Sequence, residues 1–262
     1  SCGDLVSDMD ISKVHKTNMV TMSDADVLRG YDPAAYERPS VTVDLVLFGV
    51  RGRRLCALLT PRDQPPHAGR WALPGGFVGI REDLDAAAAR VLREKVGIVA
   101  AHLEQLYTFG AVDRDPRMRV VTVAYLALLR EPQFEDAIRA GAVGAATLDG
   151  EPLQALDAKG ASLELAFDHR HILSLARGRM RGKIDYSDVA FALLPERFTL
   201  RALQDVHEAV LGATLNKPAF RRRMLDRGGL AATGAREEDA SHRPAELYRF
   251  VAAEPSAPDA GG

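Results

Sequence analysis

The sequence predicts an α/β protein in which a mixed sheet lies between helices and is followed by a smaller domain of helices and a hairpin. Runs rich in β-branched residues alternate with a capped helix between Val41 and Leu148. After Thr199, two capped helices joined by a short turn precede a strand-like run. The chain has 262 residues, which exceeds the usual size of one domain, so two domains are expected.

Composition narrows the class of protein. Hydrophobic residues make up 47% of the chain, which supports a real core, and no apolar run is long enough for a membrane helix. Two cysteines, Cys2 and Cys56, are too few for a disulfide framework or a zinc cluster, and residues 1–21 lack the apolar region of a secretory signal. We therefore expect a cytoplasmic protein without membrane contacts. Its formal net charge of -2 means that nucleic acid would have to meet a local basic patch.

The first half supplies the strands of the sheet. Val41–Val50 is rich in β-branched residues, and residues 51–53 form a turn to its hairpin partner, Leu55–Leu59. Leu103–Phe109 and Val120–Leu129 are further strands, and the second is nearly all apolar, which is typical of a central strand.

A helix follows the Gly75-Gly76 loop. Asp83 is a suitable N-cap for a helix over Leu84–Glu94, and Gly97 closes it. We interpret residues 141–160, which mix Gly, Ala and acidic residues, as a loop and connector. The helical spacing of apolar residues over Leu163–Met180 then predicts a linker helix.

The segment GFVGIREDLDAAAARVLREKVGI, residues 76–98, resembles the Nudix box, the magnesium-binding signature of the Nudix hydrolases. Val91 and Lys95 stand where that pattern has Glu, and they are four residues apart on one helix face. Magnesium requires oxygen ligands, so neither side chain can bind it. We therefore predict no catalytic and no metal-binding residues. The residues that match the box are Gly76, Glu82, Arg90, Leu92, Glu94, Gly97 and Ile98.

The second half predicts a helix-turn-helix. Thr199 caps a helix over Leu200–Leu211, Gly212 ends it, and Asn216 caps a second helix over Lys217–Arg227. The inner face of the first helix carries Leu203, Val206, His207 and Val210. The second helix is strongly basic, as a helix that enters the major groove of DNA would be. Its basic residues are Lys217, Arg221, Arg222, Arg223 and Arg227.

A hairpin should follow this basic helix. Gly234–Ser241 is polar and turn-like, and Ala245–Val251 is a credible closing strand, so His242 and Arg243 would lie where a wing approaches a phosphate backbone. The apolar residues Phe220, Met224 and Leu225 should pack into the core of this domain. An arginine run on a helix can also be a solvated face, and it is the order of helix, turn, basic helix and hairpin that favours DNA contact.

Together, the altered box and the second half resemble the Nudix-related transcriptional regulators, the NrtR family. The resemblance implies a Nudix α/β/α sandwich with a mixed sheet, followed by a winged helix-turn-helix. The implied protein is a homodimeric repressor of NAD metabolism genes that binds operator DNA, requires no cofactor and responds to ADP-ribose or a related nucleotide. The segments that carry the resemblance are PSVTVDLVLF from Pro39, GRWALPGGFV from Gly69, LEQLYTFG from Leu103, RDPRMRVVTVAYLAL from Arg114 and FALLPERFTLRALQ from Phe191.

The resemblance also implies two sets of binding residues. A diphosphate needs cations or oriented amides, and Lys95 could replace part of the metal charge. Glu82 and Glu94 either accept from ribose hydroxyls or serve in helix ion pairs, and Trp71 and Phe77 are expected in the core. The ligand-binding set is Arg62, Arg70, Gly75, Gly76, Arg81, Glu82, Glu94, Arg114 and Arg117. The DNA-binding set is Thr199, Lys217, Arg221, Arg222, Arg223, His242 and Arg243.

Two other classes of function remain open. The chain could be an active Nudix pyrophosphatase that hydrolyses ADP-ribose with Glu82, Glu94 and an acid from elsewhere, or a sensor whose second domain binds protein. The predicted domain limits are 1–36 for a partly disordered extension, 37–160 for the Nudix-like domain, 161–181 for the linker helix, 182–252 for the winged helix and 253–262 for a disordered tail.

Overall fold

The computed structural model describes residues 23–98, 102–237 and 244–251. The chain divides into two compact units, residues 1–38 and 39–262. In the first unit, Ser23 caps helix α1 (Asp24–Gly30) through a reciprocal bond with Asp26, and a short 3-10 turn follows. This capped helix lies in the segment that we expected to be a partly disordered extension.

The second unit contains one large mixed sheet and one small sheet. The large sheet has the order β5-β6-β1-β2-β7-β8, with β3 paired to β2 and β4 paired to β1. Strands β1 and β6 run parallel, whereas the other pairs are antiparallel. The strands are β1 (Ser40–Arg51), β2 (Arg54–Pro61), β3 (Trp71–Ala72), β4 (Gly75–Phe77), β5 (His102–Phe109), β6 (Val120–Leu128), β7 (Gly144–Asp149), β8 (Gln154–Leu156), β9 (Phe198–Thr199), β10 (Leu230–Arg236) and β11 (Glu246–Phe250).

Helices cover both faces of the large sheet. The helices of this unit are α2 (Leu84–Val96), α3 (Glu131–Arg139), α4 (His169–Lys183), α5 (Leu200–Leu211) and α6 (Lys217–Arg227). Alternate residues of β1 enter different cores: Leu45 packs in the cluster that contains α2 and α3, while Val46 and Phe48 pack in the cluster that contains α4 and α5. The predicted sandwich with a mixed sheet is therefore confirmed. No helix in the described part of the chain is long and apolar enough to cross a membrane.

Two predictions about the sheet and the linker helix were wrong. Residues 141–160 are not a plain connector, because they contain two strands: β7 pairs with β2, and β8 pairs with β7 at the edge of the sheet. The alanines of β7 have little intrinsic preference for a strand. The linker helix starts at His169 rather than Leu163, since Leu163 and Leu165 make strand-like contacts with β8 and β3 instead. Helix α3 was not predicted at all.

The winged helix-turn-helix is confirmed. Thr199 caps α5 by accepting from the N–H of Ala202, Gly212 ends it in the left-handed conformation, and Asn216 caps α6 by accepting from the N–H of Ala219. Strands β10, β11 and β9 form the small sheet of the wing. Residues 234–236, expected in a turn, belong to β10 because they continue its pairing with β11.

The winged helix packs directly on the large sheet. A single apolar cluster runs from Phe48 in β1 through α4 to Val210, Phe220 and Tyr248. Polar contacts reinforce this junction, since the guanidinium of Arg53, at the β1–β2 turn, binds Asp205 and Glu208 of α5, both at 2.8 Å.

Candidate functional site

A cavity of about 590 Å³ opens beside β1, β4 and the segment before α4. Gly75 must be glycine here, because a Cβ atom would lie 2.3 Å from an oxygen of Asp44. Three residues of the ligand-binding set, Arg70, Arg81 and Glu82, do not line this cavity. Those that do are Arg62, Gly75, Gly76, Glu94, Arg114 and Arg117.

Arg114 lies buried at the floor of the cavity between two carboxylates. Its Nε and Nη2 donate to the two oxygens of Asp168 at 3.0 and 2.8 Å, and Nη2 also reaches Asp44 at 3.4 Å. Its side chain is only 4% exposed, and these carboxylates satisfy its buried charge.

His169 completes this buried cluster. Its Nδ1 accepts from the backbone N–H of Leu73 at 2.9 Å, which leaves the proton on Nε2, 3.9 Å from Asp44. Burial lowers the pKa of His169, so the ring is neutral at neutral pH. The cluster of Asp44, Arg114, Asp168 and a neutral His169 therefore carries a net negative charge.

Cations and aromatic rings form the cavity wall. The guanidinium of Arg62 lies 4.9 Å from the centre of the Phe167 ring, and that of Arg117 lies 5.9 Å from Phe167 and 6.0 Å from Phe77. Asp115 holds Arg117 through two bonds of 3.0 and 2.8 Å. Phe77, expected in the core, is 47% exposed at the cavity edge, whereas Trp71 packs against the core as predicted.

Glu82 serves the helix rather than the cavity. Arg90 donates to both of its oxygens at 2.7 and 2.9 Å, and this pairing lowers the pKa of Glu82 to about 2. Arg90 also binds Glu94 at 3.3 Å and the carbonyl of Phe77 at 2.9 Å. The ion-pair interpretation of Glu82 is thus the one that its contacts favour.

The side chains present do not suit magnesium, the metal that a Nudix fold implies. Val91 is 1% exposed and packs against Gly76, and the next position on that face is the cation Lys95. Across the residues that the structure describes, no group of three or more His, Cys, Asp or Glu side chains could hold a metal ion. Magnesium needs carboxylate oxygens, and the two box carboxylates that remain, Glu82 and Glu94, are both bound by Arg90.

The basic helix α6 divides its arginines between ion pairs and solvent. Arg223 binds Asp185 at 3.0 Å and Arg227 binds Asp188 at 3.1 Å, while Arg221 and Arg222 are exposed. Phe220 and Met224 enter the core as predicted. Leu225 does not, because it lies on the outer side of the helix and is 42% exposed. His242 and Arg243 lie outside the described residues.

A second groove, of about 410 Å³, lies between α5, α6 and the wing. Three residues of the DNA-binding set, Thr199, Lys217 and Arg221, line it together with Arg201 and Arg236. The sequence did not single out these two arginines, although Arg201 follows the predicted cap Thr199 and Arg236 lies in the segment predicted to be the turn of the wing. Four basic side chains around one groove make it suitable for an anionic backbone.

Comparison with known proteins agrees with this arrangement. The sequence model of the NUDIX domain matches residues 38–161, and that of the NrtR DNA-binding winged helix domain matches residues 190–250. The ADPR responsive transcriptional repressor NtrR of Acinetobacter baylyi is 40% identical over 232 residues, which are 87% of this chain and 89% of that protein. The chain belongs to the NrtR family.

Solved structures resemble this NrtR family member over most of its length. The crystal structure of Shewanella oneidensis NrtR complexed with a 27mer DNA has 35% identity and a TM-score of 0.68, covering 80% of this chain and 93% of that one. A MutT/nudix family protein from Enterococcus faecalis has 30% identity and a TM-score of 0.67, covering 89% and 95%.

The residues that the sequence did not single out in this NrtR family member include Asp44, Phe167 and His169, which line the cavity, and Asp168, which binds Arg114. One signal was present, because Asp44 is the single charge within the apolar run of β1 and a buried charge requires a partner. The other three lie in a segment that was assigned to the linker helix, and nothing local marks them as cavity residues.

Proposed function

We propose that this NrtR family member is a transcriptional repressor of NAD metabolism genes whose affinity for operator DNA changes when ADP-ribose occupies the cavity. The observation that carries the proposal is the coexistence, on one packed unit, of a cavity lined by several arginines and a winged helix with exposed arginines, with no metal-binding group of side chains among the described residues. The name of the 40% identical relative, an ADPR responsive repressor, supports the same function.

The cavity has the chemistry that a nucleoside diphosphate needs. Arg62, Lys95 and Arg117 supply positive charge near the backbone of Gly75 and Gly76, and guanidinium groups bind phosphate oxygens in pairs. The exposed ring of Phe77 offers a surface on which a base can stack. Its volume of about 590 Å³ lies within the usual range of ligand pockets.

DNA binding falls to α6 and the groove beside it. Successive residues of a helix are separated by about 100°, so Arg221 and Arg222 point in different directions. One of the two contacts a base edge and the other contacts a phosphate. Thr199, Lys217, Arg201 and Arg236 bind the phosphate backbone. The protein acts as a homodimer on a two-fold operator, which is the symmetry that paired helix-turn-helix domains require.

Hydrolysis is not the role of this chain. Val91 and Lys95 remove the carboxylates that magnesium requires, and Arg90 engages Glu82. Binding of ADP-ribose requires no metal cofactor in this scheme. The pyrophosphatase alternative predicts magnesium-dependent release of AMP from ADP-ribose, and that product is readily separated by chromatography.

The test is a titration of the full chain into fluorescently labelled DNA from the intergenic region beside its own gene, followed by ADP-ribose without magnesium. Fluorescence anisotropy should report tight binding that ADP-ribose reverses, and Arg222→Ala should weaken binding while ADP-ribose still binds with its wild-type affinity. A protein that binds none of this DNA, or a DNA complex indifferent to ADP-ribose, contradicts the proposal. Release of AMP with magnesium would favour the pyrophosphatase, and capture of a protein without DNA binding would favour the sensor whose second domain binds protein.

A further inference from the structure

The side chain of Asp168 could accept hydrogen bonds either from the first turn of α4 or from Arg114, and in the structure it accepts them from Arg114. It occupies the N-cap position of α4, where an aspartate normally accepts from the backbone N–H groups of the first helical turn. Its side chain makes no such bond. Both carboxylate oxygens accept from Arg114 instead, at 2.8 and 3.0 Å.

The backbone before α4 is held in a matching, strained conformation. Phe167 has a φ of 50°, in the left-handed region that non-glycine residues seldom adopt. Asp168 has φ -92° and ψ 17°, whereas a capping residue normally has extended backbone. A change of partner by Asp168 therefore requires a rotation of the backbone at this point, and that rotation can relieve the strain at Phe167.

A ligand in the cavity acts on this arrangement through Arg114. The guanidinium lines the cavity, and its donors are already divided between Asp168 and Asp44. A diphosphate adds two negative charges beside these carboxylates, so it competes for the same donors and repels Asp168. The ring of Phe167 also lines the cavity, so a ligand bound there contacts the residue that precedes Asp168.

The other end of α4 is linked to the DNA-facing helix. Just after α4, Asp185 binds Arg223 of α6, and Asp188, at the start of the 3-10 helix that follows, binds Arg227 of α6. Between its ends α4 packs in the shared core through Ile172, Leu173, Ala176 and Met180. A helix of this length moves as one body, so a displacement at its first turn also displaces the groups that hold α6.

We propose that Asp168 is the switch residue of this repressor. With an empty cavity it binds Arg114. When a nucleoside diphosphate takes Arg114, Asp168 turns to cap α4, and the shift of α4 alters the position of α6. The inference rests on the proposed function, since it describes how ADP-ribose alters DNA affinity. It supplies the two states and the differential contacts that allosteric coupling needs.

The experiment compares wild type with Asp168→Asn in the same anisotropy assay, with ADP-ribose affinity measured separately by calorimetry. Asparagine caps helices as well as aspartate does but cannot form the ion pair, so the variant should adopt the ligand-bound state without ligand. Its DNA affinity should equal that of ADP-ribose-saturated wild type, and added ADP-ribose should change it by less than about twofold. ADP-ribose should bind the variant more tightly than wild type, because the conformational cost has been removed.

Glu151→Gln is the matched control. Glu151 anchors α4 through Arg177 and Arg181 at the side remote from the cavity, and the amide retains an acceptor for them. Its response to ADP-ribose should equal that of wild type. A wild-type-like response in Asp168→Asn, or loss of ADP-ribose binding by it, overturns the switch. A wild-type DNA complex indifferent to ADP-ribose instead refutes the proposed function itself.

Hydrogen exchange on the wild-type protein provides a test that needs no variant. Capping by Asp168 protects the amide of Arg170, in the first turn of α4, so ADP-ribose should slow its exchange. Unchanged or faster exchange at this amide in the saturated protein would reject the switch even if the variant did not fold.

Discussion

At the residue scale, the Glu82–Arg90 pair explains how part of a metal-binding signature can persist although Val91 and Lys95 replace two of its carboxylates. The guanidinium of Arg90, on α2, donates to Glu82, to Glu94 and to the carbonyl of Phe77. The glutamates thus hold the loop after β4 against the helix, which is a structural function that needs only one cation. The signature therefore indicates the fold more securely than it indicates turnover.

This pair should make stability depend on pH in a defined direction. The pKa of Glu82 is lowered from 4.5 in the unfolded chain to about 2 in the folded protein. The stabilisation that the pair contributes is therefore complete at pH values above the unfolded-state pKa and is lost as pH falls through the folded-state pKa. Glu82→Gln should therefore cost more free energy of unfolding at about pH 6 than at about pH 3, as measured by urea denaturation. An equal cost at both values would mean that the pair does not contribute through its charge.

Val91 offers a second test at this scale. Because it is 1% exposed among the apolar residues of α2 and the sheet, Val91→Glu should lower the free energy of unfolding by about 3 kcal/mol. Lys95→Glu, at an exposed position of the same helix face, should change it by less than about 0.5 kcal/mol. Thermal or urea denaturation compares the two, and full stability in Val91→Glu would show that this position opens to the cavity.

At the element scale, α6 should bind DNA unevenly along its surface. Arg221 and Arg222 are exposed, whereas the Arg227 side chain is only 25% exposed and is bound to Asp188. Substituting an arginine that reaches a base edge should cost about 1–3 kcal/mol of DNA affinity and relax specificity.

We therefore expect Arg222→Ala or Arg221→Ala to weaken the DNA complex more than Arg227→Ala does, as measured by anisotropy with wild-type and altered sites. Circular dichroism of each variant controls for folding. A larger loss in Arg227→Ala would mean that the Arg227–Asp188 pair opens in the complex.

The elements that sequence predicted best are those whose ends carry explicit signals. Thr199, Gly212 and Asn216 mark the ends of α5 and the start of α6, and these helices have the predicted bounds. Strand β7 carries no such local signal, because its alanines become a strand only by pairing with β2. The site was harder still, since Asp44, Arg114 and Asp168 meet only after the chain has folded.

At the scale of the whole molecule, DNA binding should be strongly dependent on salt. The formal net charge is only -2, so attraction to DNA arises from the basic groove and α6 rather than from the whole surface. With roughly eight to ten phosphate contacts for a dimer, affinity should fall by about 10³ to 10⁵ between about 50 and 200 mM salt. Anisotropy titrations over this range measure the slope, and a shallow slope would contradict the interface.

The shared apolar cluster has a consequence for how such regulators can diversify. Because Val210, Phe220 and Tyr248 are packed in the same cluster as Phe48 and the helix α4, the DNA-reading module shares one apolar core with the large sheet. A chimera that joins this module to the sheet of a distant relative would bring together two apolar surfaces shaped for other partners. New operator preferences can arise through single changes on the outer side of α6, whereas exchange of whole modules by recombination demands coordinated changes on both sides of the join.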